Sequence, residues 1–388
     1  MTPDRNSPLD PQKLIRLIAG KSPRLTIALV IVVAVGGLMM TGCPGKVARG
    51  PGSGPGSTSG RPTAEAGTYL FVSWNGENFF DDVPDPKNDD KEATYYAEHP
   101  EMFQKKAGQL AEALLKMADG YGPDIMALVE VESERCLTVL RDKLNERLEA
   151  AGRGSWKYTE VAFRDDNTGR RFAPGFISRV PIVADRTKKF GPRAIQRTLE
   201  VHFDVAGHEL IAIASHWTSR LKEGNDRNRY RYAEAIYGET RAILTSNPDA
   251  DVLVCGDFND EFRDASMQDG LQVTADAKIC IEAQTPRLLS LMAKFDGTGD
   301  PKGSIYGAGH WSVFDHICVS RGLLDGRGWT ADISTTRIFG ERFLTREVKG
   351  RDGVRHEPVK FRDDRLKGEY GYSDHFPVMV KLRVEGGK

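Results

Sequence analysis

The chain has 388 residues, 39% of them hydrophobic and 28% charged, with 54 Lys and Arg against 55 Asp and Glu for a net charge of −1. That apolar content supports one large core or two ordinary ones and excludes a chain disordered throughout. A protein that grips nucleic acid by neutralising many phosphates carries a basic surplus; this chain has none, so tight nonspecific binding of that kind is not favoured.

Residues 1–24 hold Arg5, Lys13, Arg16, Lys21 and Arg24 against Asp4 and Asp10, and the uncharged apolar run 25–42 follows. A basic flank ahead of such a run reads as an export signal or a membrane span, and either one places the remainder outside the cytoplasm. The run ends Met40-Thr41-Gly42-Cys43, which resembles a bacterial lipoprotein signal, although Met40 stands where leucine is usual and the basic region is long. That resemblance implies removal of 1–42 and a lipid on Cys43; an uncleaved anchor is the alternative. Without 1–42 the chain keeps 49 basic and 53 acidic residues, a net charge of −4. Residues 43–67 contain Gly-Pro-Gly-Ser-Gly-Pro-Gly-Ser, a flexible tether with nothing to bury. From residue 68 to 388 no second linker interrupts the pattern, so this stretch reads as one domain, expected to act as a monomer.

Within that domain, apolar or alternating runs predict strands at 69–74, 124–129, 157–163, 175–178, 198–204, 209–215, 251–255, 315–320 and 377–383. Several are apolar throughout, as strands buried on both faces are. Phe103, Ala107, Leu110, Ala111, Leu114 and Ala118 fall at helical steps, as do Tyr232, Ile236, Thr240 and Ile243. Stacked sheets flanked by helices use all of these elements. Cys255 and Cys318 lie in apolar runs and read as buried free thiols; an exported location leaves disulfides open for Cys136 and Cys280. No Cys/His spacing matches a zinc site.

The apolar run 252–255 delivers Gly256-Asp257-Phe258-Asn259-Asp260 to a strand end, and other polar knots end apolar runs in the same way. They are Ser73-Trp74-Asn75, Leu128-Val129-Glu130-Val131-Glu132, Ile213-Ala214-Ser215-His216-Trp217, Phe314-Asp315-His316 and Ser373-Asp374-His375-Phe376-Pro377. Hard oxygen donors without cysteine suit Mg2+ (Mn2+ substituting) better than zinc or copper, and two histidines supply proton chemistry. Metal-assisted phosphoester hydrolysis is the chemistry such a set performs.

The order Trp-Asn, Leu-x-Glu-Val, Ser-His-Trp-x-Ser-Arg, Gly-Asp-Phe-Asn-Asp, Asp-His-Ile, Ser-Asp-His-Phe-Pro resembles the endonuclease/exonuclease/phosphatase superfamily across nearly all of 68–384. The resemblance implies a four-layer α/β fold, an αββα sandwich. It implies Glu130 as principal magnesium ligand with Asn75 and Asp374 close to the ion. Asp257 then orients or deprotonates the attacking water, Asn259 binds the phosphate, His375 is the acid/base with Asp315 fixing its tautomer, and His216 donates to a phosphate oxygen. No acidic partner for His216 is identifiable in the sequence.

The neighbours of these residues have plainer readings. Asp124 starts a strand, Glu132 and Asp260 point away from the site or support it from behind, and His316 is a neighbour of Asp315. Trp217 and Trp311 pack in the core or at the rim, and Arg220 either contacts phosphate or is paired. The resulting expectation is a magnesium-dependent phosphodiesterase outside the cytoplasm, a nuclease first. A phosphatase or an enzyme acting on a lipid headgroup is the alternative, and a surface-binding module that has lost catalysis is a third reading.

Overall fold

The structure, a computed structural model, describes residues 65–385 apart from 167, 193–195, 222, 296–297, 351–352 and 363–369. In chain order its elements are β1 (Gly67–Phe79), α1 (Lys91–Glu98), α2 (Pro100–Leu115), β2 (Ile125–Val131), α3 (Glu134–Ala150), β3 (Glu160–Phe163), β4 (Ala173–Ser178), β5 (Lys188–Phe190), β6 (Thr198–Val205), β7 (His208–His216), α4 (Asn225–Ser246), β8 (Asp251–Asp257), β9 (Val273–Thr274), α5 (Ala277–Glu282), β10 (Leu288–Ser290), β11 (Ile305–Gly307), β12 (His310–Ser312), β13 (Asp315–Val319), β14 (Trp329–Ile338), β15 (Thr345–Gly350), β16 (Gly353–Pro358) and β17 (Val378–Val384). The export or anchor segment 1–42, and the linker up to residue 64, lie outside the described residues. No helix among the described residues is long and apolar enough to cross a membrane.

One mixed sheet runs β14-β17-β1-β2-β4-β3 and the other β5-β6-β7-β8-β13-β10-β9. Period-two alternation explains why the central strands are apolar throughout. On β7 and β8, Ile211, Ile213, Val252 and Val254 face Tyr232, Ala233 and Ile236 of α4. Their neighbours Ala212, Ala214, Leu253 and Cys255 join the core between the sheets. There Phe176 of β4 meets Phe203 of β6 edge-on at 5.8 Å. Helices α2 and α3 cover the outer face of the first sheet, so the layers are αββα, as expected.

The predicted strands all fall on observed ones, with shifts of up to five residues at their ends, the widest being β1, which runs on to Phe79. Ala118 is a correction: α2 stops at Leu115, and Ala118 lies in an exposed turn with φ of 46°. Asp124 precedes β2, accepting the Leu70 N–H on its carboxylate at 2.7 Å. Cys136, Cys255, Cys280 and Cys318 are all buried free thiols.

Two features of the ladders position the site. In the second sheet, β7 pairs parallel with β8 and β8 antiparallel with β13, so that His216, Asp257 and Asp315 are direct register partners across three strand ends. This close pairing needs Gly256, whose φ is 131° and whose position would bring an added Cβ within 1.9 Å of the Ser215 carbonyl oxygen. In the first sheet the β1–β2 ladder breaks: Asn75 pairs with Val129 and Phe79 with Val131, leaving residues 76–78 opposite Glu130 alone. Glu77, Asn78 and Glu130 all take positive φ at this break.

Candidate active site

The strand ends open on a cleft of about 750 Å3 whose lining includes Glu130, His216, Asp257, Asn259, Asp374 and His375. Asn75 and Asp315 lie just behind it, 1% and 0% exposed.

The loop that carries His375 is tied down on several sides. Trp74 Nε1 donates to the His375 carbonyl at 2.9 Å, Ser373 Oγ donates to the Asn75 carbonyl at 2.7 Å, and the Phe376 N–H donates to the Ser304 carbonyl at 2.7 Å. Ser304 Oγ in turn accepts the Phe314 and Asp315 N–H groups, so one buried hydroxyl links the loop to the start of β13. This places His375 Nδ1 at 2.7 Å from Asp315 Oδ2 and leaves Nε2 facing Asp257 Oδ2 at 3.8 Å. Burial alone would lower the imidazole; the Asp315 and Asp257 carboxylates outweigh it and hold His375 well above its usual pKa. Burial also drives the Asp257 carboxyl up to about 7, with Asp315 and Glu130 adding to the effect and His375 opposing it.

Glu130 is held by the broken ladder. Asn78 N–H donates to its Oε2 at 2.8 Å, and Asn75 Nδ2 donates at 3.0 Å both to its Oε1 and to Asp257 Oδ2. Asn75, expected close to the ion, is thus the clip that holds two carboxylates together, while its own Oδ1 accepts the Glu77 N–H. Asp374 faces the cleft, but its Oδ2 lies 3.1 Å from Lys360 Nζ. Burial pushes the Asp374 carboxyl up, yet His375 and Lys360 prevail and keep it below the ordinary carboxylate range. Asn259, at φ 52°, donates its backbone N–H to Asp257 Oδ1 at 2.9 Å and one amide hydrogen to the Trp217 carbonyl at 3.2 Å.

His216 is the residue whose support could not be read from sequence, and among the described residues no acid reaches its far nitrogen. Nδ1 is buried with no hydrogen-bond partner among them, whereas Nε2 faces Glu130 Oε1 at 3.5 Å and Asp257 Oδ2 at 3.8 Å. Burial pulls the imidazole down to about 4, against the Glu130 charge, so the ring is neutral near pH 7. Nδ1 lacks a partner in either tautomer, so the two carboxylates facing Nε2 decide: the proton belongs on Nε2.

Glu130, His216 and Asp257 each offer a ligand atom, all within 4.8 Å of one another. A divalent cation fits this set: two hard carboxylates in a buried place that already raises one of them. With its proton on Nε2, His216 is a hydrogen-bond donor rather than a ligand, leaving carboxylate oxygen, that of Glu130 first, for the ion.

The neighbouring residues settle as follows. Glu132 points away, accepting from the Asp81 N–H and Asn88 Nδ2, and burial lifts it to about 7. Asp260 binds Arg229 Nε at 2.7 Å and Ser266 Oγ at 2.6 Å; His316 is buried with Nε2 at 2.9 Å from the Asp260 carbonyl. Trp217 stacks on Phe258 in the core and Trp311 on Phe376. Arg220 is paired with Asp260 and Asp264 and donates to the Asn259 carbonyl at 2.7 Å, while still lining the cleft. Sequence reasoning missed two further lining arginines. Arg197 pairs with the buried Asp166 at 2.8 Å, and Arg170 is bound to Asp90, Glu92 and Asn78. Nothing in the local sequence around Arg170 or Arg197 shows that either turns toward the site.

A profile of the endonuclease/exonuclease/phosphatase family matches residues 71–384. No curated protein matches the chain. Among solved structures, an endonuclease/exonuclease/phosphatase family protein from Bacteroides thetaiotaomicron aligns with a TM-score of 0.50 at 15% identity, covering 83% of this chain and 97% of that one. A truncated TDP2 from Caenorhabditis elegans aligns with a TM-score of 0.47 at 13% identity, covering 82% and 98%. A mannosyl-6-phosphatase from Bacteroides thetaiotaomicron aligns with a TM-score of 0.47 at 14% identity, covering 81% and 99%. At 15% identity the first of these alignments speaks to fold alone, whereas the family profile spans most of the sequence: the chain belongs to the endonuclease/exonuclease/phosphatase family of phosphoester hydrolases.

Proposed function

We propose that the chain is a magnesium-dependent phosphodiesterase, with manganese able to substitute, that cleaves nucleic acid outside the cytoplasm while tethered to a membrane. The observation that carries the chemistry is the buried row His216, Asp257, Asp315 facing His375, with Glu130 reaching in from the other sheet. Held by Glu130, a divalent ion would supply positive charge that offsets the negative charge developing on the phosphate oxygens. Asp257, whose Oδ2 lies 3.8 Å from the Nε2 atoms of both His375 and His216, accepts the proton of the attacking water. His375, kept protonated by Asp315, donates to the departing oxygen. His216 donates its Nε2–H to a phosphate oxygen without carrying a charge of its own, and the free amide hydrogen of Asn259 adds a second donor.

The nucleic-acid reading is supported by Arg170, Arg197 and Arg220 in the cleft wall. One specific observation favours a second reading, a compact phosphoester such as a sugar phosphate or lipid headgroup: each of those arginines is already paired with acids. A turnover panel of single- and double-stranded DNA, RNA, sphingomyelin, phosphoinositides and an activated bis-phosphodiester separates the two. A nuclease loses affinity steeply as salt rises, and a small-substrate enzyme does not. No turnover of any member with Mg2+ or Mn2+ would leave the non-catalytic binding module. The location rests on the basic flank, the apolar run 25–42 and Cys43. Cys43→Ala should abolish lipid labelling, whereas unchanged labelling removes the lipoprotein assignment.

A further inference from the structure

Lys106 of α2 carries a charge into a place that packing alone would give to leucine or methionine. It is 1% exposed, and it does not line the cleft. Its Nζ donates to the Glu77 carbonyl at 2.6 Å and to the Tyr372 carbonyl at 3.5 Å, lies 3.7 Å from Glu77 Oε2, and sits 4.9 Å from the centre of the Phe361 ring. Glu77 Oε2 also accepts the Phe361 N–H at 2.8 Å. A buried ammonium is costly unless its partners need it there.

Those partners are the two backbone segments on which the site depends. Glu77 and Asn78 take φ of 53° and 52°, a left-handed pair with no glycine at either position, in the stretch that bulges out opposite Glu130. Asn78 N–H is the donor that orients Glu130 Oε2. Tyr372 immediately precedes Ser373, Asp374 and His375. One ammonium therefore grips the turn that aims Glu130 and the strap that delivers Asp374 and His375.

We propose that Lys106 is a positioning residue that sets the divalent-metal affinity of the site from behind the cleft, touching neither metal nor substrate. This rests on the reading of Glu130 as a metal ligand. A lysine that merely glued α2 to the domain would, when replaced, lower thermal stability and leave the metal affinity of the folded protein alone.

The test uses the folded full chain and Mn2+ alone as probe, by titration calorimetry well below the melting midpoint, with the Mn2+ dependence of kcat and KM measured in parallel. Lys106→Met should weaken Mn2+ binding by about tenfold or more, at the lower end of what losing a supporting partner costs. KM for a phosphodiester at saturating Mn2+ should stay as in the wild type. Should Lys106→Met fail to fold, the double variant Lys106→Met/Glu77→Gln removes both charges together and avoids an unpaired buried acid; the same loss is expected. Wild-type Mn2+ affinity in either folded variant overturns the proposal. Wild-type protein that binds no Mn2+, or Glu130→Gln that binds it unchanged, overturns the metal reading itself, and the role of Lys106 falls with it.

Discussion

Asp315→Asn is the sharpest perturbation of the proposed mechanism, because it removes a charge while keeping the shape of a fully buried side chain. Asp315 Oδ2 accepts from His375 Nδ1 at 2.7 Å, and the carboxylate leads the influences that hold the imidazole above its usual pKa against burial. A hydrogen bond to a charged partner contributes about 1.5–3 kcal/mol, so losing its charged character should lower kcat/KM by roughly 10- to 150-fold. Burial continues to act on the ring in the variant with less to oppose it. The limb of the pH profile that reports His375 should therefore move to lower pH.

The assay is kcat/KM for an activated bis-phosphodiester at saturating Mg2+ from about pH 5 to about pH 9.5. It is run on the wild type, Asp315→Asn, His375→Ala and the double variant, each checked for folding by circular dichroism. If the two residues act as one unit, the double variant loses about as much as His375→Ala alone. Strictly multiplicative losses together with an unmoved limb would refute the pairing as a functional device.

Three more outcomes are expected. Glu130→Gln should keep the fold and lower Mg2+-supported turnover by at least about tenfold, since a carboxylate aimed at the cation becomes a neutral amide; wild-type rates at the same Mg2+ would remove its role. Asp251, whose Oδ2 accepts the Trp329 N–H at 3.0 Å, is driven by burial from 3.8 to about 7, so it costs stability increasingly between those values and fully above them. Asp251→Asn should then raise the melting temperature at pH 8, with a gain that shrinks toward pH 4; a gain independent of pH would contradict the burial argument. Gly256→Ala, which sets a Cβ against the Ser215 carbonyl at an unfavourable φ, should cost more than about 3 kcal/mol or prevent folding, and a wild-type melting temperature would show that the β7–β8 pairing relaxes easily.

The interior of the fold was legible because both-face burial writes itself into β7 and β8 as unbroken apolar runs. The periphery was not. β14 is an edge strand rich in Thr and Ser whose ladder shifts between Asp332 and Arg337, and β15 and β16 pair as a charged hairpin with little apolar alternation. α3 did carry a readable stripe, Leu137, Leu140, Leu144 and Leu148, and went unread beside the polar residues around it. In the site, residue types at strand ends pointed to Glu130, His216, Asp257, Asp315 and His375, which the structure gathers around one cleft. What sequence could not supply is which atom faces which. The Asn75 amide clips two carboxylates, Asp374 is engaged by Lys360, and Lys106 lies one step from a helical stripe where a lysine reads as solvated.

The two sheets contribute to the site by opposite means, and the difference follows from geometry. Neighbouring strands within a sheet sit about 4.8 Å apart, so an unbroken ladder can set His216, Asp257 and Asp315 side by side. Stacked sheets lie about 10 Å apart, too far for a short side chain on a regular strand to meet that row. The first sheet closes the gap by leaving its ladder: residues 76–78 bulge, Glu130 adopts a positive φ, and its carboxylate reaches to 3.5 Å from His216 Nε2. A backbone so displaced has lost the ladder hydrogen bonds that would hold it and must be held by other donors. The buried Lys106 ammonium is such a donor, to the Glu77 carbonyl, while the Asn78 N–H and the Asn75 amide fix the Glu130 carboxylate, which is why the irregular half of the site needs support from behind while the regular half is held by its own sheet.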